Sequence, residues 1–524
     1  MAAGSPVLRH AVAALGLLLL AGALAGETVH RRELTSGVVV VVRDHQVSHA
    51  AEVAVLLRGG PIAEGDLLGH GASELARRLL HERILRLAPQ QGAAGLALGD
   101  GLRSDLLPAA IRLSLTTTDA QVTDALRLLA AALAPAEIAA ADLDRHRAAL
   151  IADLVRDQLD PAAVERQALR GAVLRVHPAR LPSAGRPDLV RDLPLASLQA
   201  HLARITAAPN LVVVVVGHVP AALVEDEVAA ATASLPAWGW NRPAVPAEPV
   251  QTQPRGSVLT VPGLAAPRRA YAWRALPLDA ADQPAQAVLA ALLDHPRHSP
   301  LRQALEAGGL ARDLSVRLVA DPGCPAWLAV AFAPVPGSEG DAWQAGQEAL
   351  ARLERDGPGS EALQAAKLAL RRDLAGRRSQ VRGLADDLAG WELALGEPAQ
   401  GERLLAALPG VTADDVRRVA ATVLRSERRT VVSLAPRPVA APAGIQAGPL
   451  LADVPPRLNT LPCGVRIVHR PLPTGLVQLH LALGGGRSAL REPAGIADLL
   501  ARSYLRGGDR PGPALGQELA ATGM

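Results

Sequence analysis

The 524-residue sequence is almost without lysine and cysteine. Lys367 is its sole lysine, so arginine carries nearly all the positive charge. The net charge is only +3, which is near neutral for this length, and a pI of about 9.3 does not make the chain a nucleic-acid binder. Two cysteines, Cys324 and Cys463, exclude a disulfide scaffold and any paired CxxC zinc site. Free or buried thiols are expected. There is no G-x-S-x-G elbow, and the glycine triplet at 484–486 lacks the Lys-Ser/Thr ending of a phosphate loop. No cysteine follows the N-terminal apolar run, which argues against a lipoprotein, and no later segment reads as a clean membrane span.

Hydrophobic residues are plentiful at 49%, enough for large cores. The N-terminus has a basic residue, Arg9, then an apolar run over 11–25 ending in Ala23-Leu24-Ala25. This is the pattern of a secretory signal peptide, residues 1–25, cleaved after Ala25. It predicts an exported chain, periplasmic or secreted, with no membrane attachment after cleavage. The competing reading is an uncleaved anchor, for which the run is short.

Two proline-rich stretches, 235–256 and 435–457, interrupt the chain. Repeated proline keeps them extended and out of helices and central strands. They leave three blocks: 27–236, 253–435 and 457–524. Block one opens with two β-rich runs around a polar turn. Helical periodicity follows over 119–134, 136–157 and 160–175, and a five-valine strand lies near 210–219. Block two repeats that logic, with helices at 281–294, 298–308, 340–356 and 360–376. Strands at both ends with helices between them predict an α+β fold with helices packed on a sheet face. The third block begins as a copy of the first. Gly37 matches Gly464, Gly59-Gly60 match Gly485-Gly486, and Gly71 matches Gly495. The copy stops at Met524, so a truncated second half is expected.

The order of these segments resembles the pitrilysin/insulinase family, which includes the mitochondrial processing peptidases. The resemblance covers nearly all of the chain after the leader. It is carried by "SGVVVVVRDHQV", "LLRGG", the helix after Gly71, "RHRAALIADLVRDQLDP" (145–161), the segment 185–219, "SPLRQALEAGGLARDLSV" (299–316) and the segment 408–432. It implies repeated two-layer domains, with helices packed on a mostly antiparallel sheet, closing over an extended peptide that pairs with a sheet edge.

Active members of that family carry His-x-x-Glu-His on the helix after the glycine. Two histidines one turn apart hold zinc, the glutamate is general base, and a later helix gives an acidic ligand. Aligned on Gly71, the histidine positions fall on Glu74 and Arg78, the glutamate position on Arg77, and the later acid on Asp153. A guanidinium stays protonated, so it is neither base nor metal ligand. The resemblance therefore implies no catalytic set and no bound zinc. An Arg78–Glu74 or Arg78–Asp153 ion pair is expected to fill the metal position. A plainer reading treats Glu74, Arg77, Arg78 and His81, at i, i+3, i+4 and i+7, as the solvated face of an amphipathic helix. The third block has Asp498, Ala501 and Arg502 at the same positions.

Other family positions also depart. Pro300 and Arg312 stand where non-catalytic partners carry substrate-gripping Arg and Tyr. Leu96, in the expected edge-strand region 92–101, stands where an asparagine often contacts peptide. Cys324 has no evident histidine partner, and "RRDLAGRRSQVR" (371–382) reads as a solvated basic turn. The expected function is that of a non-catalytic, exported subunit of a metallopeptidase system. Its partners would be an active homologous peptidase subunit or peptides and unfolded segments. The alternatives are an active zinc metalloendopeptidase with an atypical site, built from His70, His81 and Asp153, and a free-standing peptide-binding module.

Overall fold

The computed structural model describes residues 29–436, apart from 47, 91–94, 97, 240–242, 262–263 and 265, together with 457–462 and 466–469. The expected signal peptide, Cys463, the glycine triplet, and the third-block positions Asp498, Ala501 and Arg502 lie outside the described residues.

The first sheet contains β1 (Val29–Glu33), β2 (Val39–Asp44), β3 (Ala50–Arg58), β4 (Leu102–Leu107), β5 (Ala110–Thr118) and β6 (Leu211–Gly217), in the order β1-β2-β6-β3-β5-β4. Only the β2–β6 pair is parallel. Its longer helices are α1 (Ala72–Leu87), α2 (Val122–Leu133), α3 (Ala140–Asp157), α4 (Pro161–Val173), α5 (Leu195–Ile205) and α6 (Ala221–Ala231). The second sheet contains β7 (Arg255–Val261), β8 (Arg268–Arg274), β9 (Ala311–Val319), β10 (Trp327–Pro334) and β11 (Arg429–Pro436), in the order β7-β11-β8-β10-β9. Its helices are α7 (Gln283–Asp294), α8 (Pro300–Leu305), α9 (Glu339–Asp356), α10 (Ser360–Arg378), α11 (Val381–Leu395), α12 (Gln400–Ala407) and α13 (Ala413–Val423). The α+β architecture read from the sequence is present.

The valine runs explain the layering. Side chains alternate across a strand, so a run of valines is apolar on both faces. Val40, Val42, Val213 and Val215 face the core shared with α1 and α2. Val39, Val41, Val212, Val214 and Val216 face the other way, onto Val381, Leu384, Ala385, Leu388 and Ala389 of α11. That helix comes from the second half of the chain. The exchange is mutual: Leu169 and Val173 of α4 cover Ala270, Ala272, Val432 and Leu434 of the second sheet. Each half thus supplies one helix to the back of the other half's sheet. The remaining face of the second sheet holds Tyr271, Trp273 and Phe332 beneath α7 and α13.

Charges ring the α11 contact. Arg31 grips both oxygens of Glu392 at 2.9 Å, and Arg58 reaches the same carboxylate at 3.4 Å. Arg112 joins Asp386 at 2.5 Å and Asp105 at 2.8 Å. Arg382 bonds the Thr116 hydroxyl at 2.7 Å, and Arg378 pairs with Asp387. The basic stretch 371–382 therefore spans the end of α10 and the start of α11, and part of it clamps the two halves together.

The residues described beyond 456 form a separate unit. They make an antiparallel hairpin, β12 (Arg457–Thr460) with β13 (Arg466–His469), pairing as β1 pairs with β2.

Candidate functional site

Helix α1 is placed by its first turn. Gly71 has φ +69°, a left-handed conformation, and a Cβ there would meet the Ala184 carbonyl oxygen at 2.6 Å. The loop at 184–186 can close on the helix start only because residue 71 lacks a side chain, and the Arg186 N–H donates to the Gly69 carbonyl at 2.8 Å. The free amides of the first turn need acceptors. Glu64 supplies one, taking the Ser73 N–H at 2.7 Å. The Ser73 hydroxyl lies 3.2 Å from Nε2 of His201 on α5. All three residues are buried. Burial raises the Glu64 carboxyl to about 7 and lowers the His201 imidazole to about 4, the latter helped by Arg204.

The residue after Ser73, Glu74, begins the positions that the resemblance aligns with the metal motif. Glu74 is 5% exposed. Arg77 donates to both of its oxygens, at 2.7 and 2.6 Å, and Arg78 to one, at 2.7 Å. Arg78 also reaches Asp153 of α3 at 2.7 Å, and Arg156 reaches the other Asp153 oxygen at 3.0 Å. Both ion pairs anticipated for Arg78 exist together. The solvated-face reading of these side chains is corrected, because β4 and α3 cover them and mutual pairing makes that burial tolerable. Asp153 is held below the usual carboxylate range, chiefly by its bond to Arg78. Burial opposes the charge of Arg78, yet the bonds to Asp153 and Glu74 prevail and raise its pKa.

Arg77 does one thing more. Its remaining terminal nitrogen donates to the Ser104 hydroxyl at 2.7 Å and to the Ser104 carbonyl at 3.2 Å. Ser104 lies on β4, the edge strand of the first sheet. The residue at the general-base position is thus tied to the strand edge beside it.

This arrangement does not fit a zinc ion. Both carboxylates are already spent on guanidiniums, and three arginines outnumber them. Among the described residues no three His, Cys, Asp or Glu side chains converge as a metal set. His70 and His81 are half-buried, and Nδ1 of each has no hydrogen-bond partner among the described residues. The His81 imidazole is lowered by burial and by Arg77. They do not join Asp153 in a ligand cluster.

The other family positions fall as follows. The edge strand begins at Leu102, so Leu96 precedes it and is buried in the core, which corrects the expected edge region 92–101. The Gly-Asp-Gly sequence just before it makes a helical turn instead. Pro300 is the first residue of α8, under a Ser299 cap, and Arg312 is exposed on β9. Burial and Asp321 push the Cys324 thiol up to about 12, so it carries no thiolate at neutral pH. Sequence reading missed Glu64, Ser104 and His201. None belongs to a spaced motif, and only the fold brings them to α1.

The fold is a two-sheet, helix-exchanging scaffold, and the positions that the resemblance aligns with a zinc motif are occupied by paired Glu74, Arg77 and Arg78. Comparison with known proteins supports the fold. Residues 192–370 match the peptidase M16 inactive domain. A protease from Helicobacter pylori superposes with TM-score 0.68 at 18% identity, over 78% of this chain and 100% of that one. The peptidase M16 inactive domain from Pseudomonas fluorescens gives TM-score 0.67 at 18% identity, over 78% and 98%. The periplasmic protease PqqL from Escherichia coli gives 0.64 at 16% identity, over 80% of this chain and 49% of that one. No curated protein matches by sequence. The resemblance to the pitrilysin/insulinase family is thus supported over residues 192–370 by the family model and, as a fold, by these structures.

Proposed function

We propose that this chain is a non-catalytic, exported subunit of a metallopeptidase system, which binds a partner peptidase or peptide instead of cutting it. One observation carries the reading: the base position is Arg77, and its donors are committed to Glu74 and Ser104. No group there can take a proton from water, and no carboxylate is free for a dication. Export rests on the N-terminal sequence pattern, with a periplasmic protease among the structural neighbours. No described helix is long and apolar enough to cross a membrane.

The test is metal content after dialysis against a weak chelator. The chain should retain far less than one zinc per molecule. A triple variant, Glu74→His, Arg77→Glu and Arg78→His, rebuilds the donor set and should take up more zinc than the parent. One zinc per parent chain would overturn the reading and return attention to His70, His81 and Asp153.

A further inference from the structure

The two sheets are one pattern used twice. Strands β2, β6, β3, β5 and β4 have the same order as β7, β11, β8, β10 and β9. The pairings match at every step: one parallel pair, then three antiparallel ones. The first sheet has one strand more, because β1 lies antiparallel on the outer edge of β2. The equivalent place, beside β7, is filled by no strand among the described residues.

Open strand edges are guarded against stray pairing by charge, bulges or covering groups. Among the described residues, three of the four edges of these two sheets are guarded. β1 carries His30, Arg31, Arg32 and Glu33. β4 is tied by Arg77 at Ser104. β9 is masked by side chains: Glu306 accepts from the Leu314 N–H at 3.0 Å, Asp294 from the Val316 N–H at 3.1 Å, and Arg302 donates to the Leu314 carbonyl at 3.0 Å. The β9–β10 register also shifts near Asp313, whose φ is +56°. Among the described residues β7, with the sequence RGSVLTV, has none of these devices, and its single charge, Arg255, lies at its end. Val258 at its centre is 74% exposed. Val250 is 71% exposed, next to Gln251, which is fastened to the Arg429 carbonyl at 2.8 Å where β11 begins.

We propose that β7 is a docking edge for a second copy of this chain, pairing antiparallel with its own counterpart about a two-fold axis through Val258. The direction follows from β1 on β2. The choice of partner follows from the strand itself. In this register Val258 faces Val258, Gly256 faces Thr260 and Arg255 faces Val261, so no like charges meet and the exposed valines are covered. A charged strand would gain no complement on β7. One seven-residue strand is small beside the roughly 1,200–2,000 Å² of a standard stable interface, so the dimer is reversible. This surface is separate from the α1 site, and the proposal stands whether or not that site binds zinc.

The test is sedimentation velocity of the full chain across the micromolar range. The wild type should shift from monomer toward dimer as concentration rises. V258K places like charges opposite each other and should weaken association at least about tenfold. V258E should do the same. An equimolar mixture of the two should recover a heterodimer, which also shows that both variants fold. Amides of β7 should exchange more slowly at high concentration in the wild type alone. A wild type that stays monomeric throughout overturns the proposal, as does a V258K chain that associates like the wild type.

Discussion

Arg77 of α1 and Ser104 of β4 are joined by two hydrogen bonds, at 2.7 Å to the hydroxyl and 3.2 Å to the carbonyl. The same guanidinium holds both oxygens of Glu74. The helix that would present a general base instead fastens itself to the strand edge beside it. These bonds make a rigid joint between helix and strand.

That joint predicts an asymmetric response to mutation. Glu74→Leu leaves two half-buried guanidiniums facing each other and should cost about 3–5 kcal/mol in denaturant unfolding. Arg77→Leu leaves Glu74 still paired with Arg78 and should cost less, about 2 kcal/mol. The double variant should lose less than the sum of the two, with a coupling of about 1 kcal/mol or more. Strict additivity would mean that the paired geometry contributes nothing.

A second prediction concerns pH. Glu64 has a folded pKa of about 7, above its ordinary 4.5. Its contribution to stability is full below 4.5 and is lost as pH rises toward 7. His201 has a folded pKa of about 4, below its ordinary 6.5. Its contribution is full above 6.5 and is lost as pH falls toward 4. Between 4.5 and 6.5 the folded pair holds a proton on Glu64 and the unfolded pair holds one on His201. Their pH slopes cancel there. Single variants should expose them. In that window, Glu64→Gln should make stability rise with pH, relative to wild type, by about 1.4 kcal/mol per unit. His201→Asn should make it fall by a similar amount. Urea unfolding midpoints across the window, compared with wild type, would show the opposite signs or refute the pairing.

The exchange of helices predicts that the two sheets unfold together. Glu392 has a fully buried side chain held by Arg31 and Arg58. Glu392→Ala should cost about 3 kcal/mol. Leu388→Ala, in the apolar centre of the same contact, should cost about 2–5 kcal/mol. Both changes lie in the second half of the chain. Calorimetry should nevertheless show one transition shifted downward for both halves. A first-half transition left in place would show that α11 is dispensable to the sheet it covers.

The fold was legible where local pattern and burial agree. The valine run at 39–42 read as β-rich, and the run at 212–216 as a buried strand because it is unbroken and bounded by Asn210 and Gly217. The same runs also implied a second buried face, but nothing local says which helix covers it. α11 reaches that face from about 170 residues beyond β6. The site was legible in part. Glu74 and Arg78 share a helix, but it was their alignment with the family motif, and that of Asp153, that anticipated ion pairing; helix spacing alone read as a solvated face. Glu64, Ser104 and His201 come from a loop, an edge strand and a distant helix, and no period connects them to α1.

Gly71 ties these levels together, and it predicts the sharpest single-residue effect on the site. Gly71→Ala asks alanine to adopt φ +69° and sets its Cβ 2.6 Å from the backbone oxygen of Ala184. Conformation alone costs about 1–2 kcal/mol for a non-glycine residue. The clash adds to this because a backbone oxygen cannot swing aside as a side chain can. The loop at 184–186 must retreat, and the bond from the Arg186 N–H to the Gly69 carbonyl should lengthen or break. The start of α1 then loses its support, and with it the alignment of Ser73 on Glu64 and His201. Amide exchange at residues 69–75 should accelerate well before the global unfolding midpoint moves by the full amount. If exchange there is unchanged while global stability falls, Gly71 serves only the fold and does not position the helix that carries the closed site.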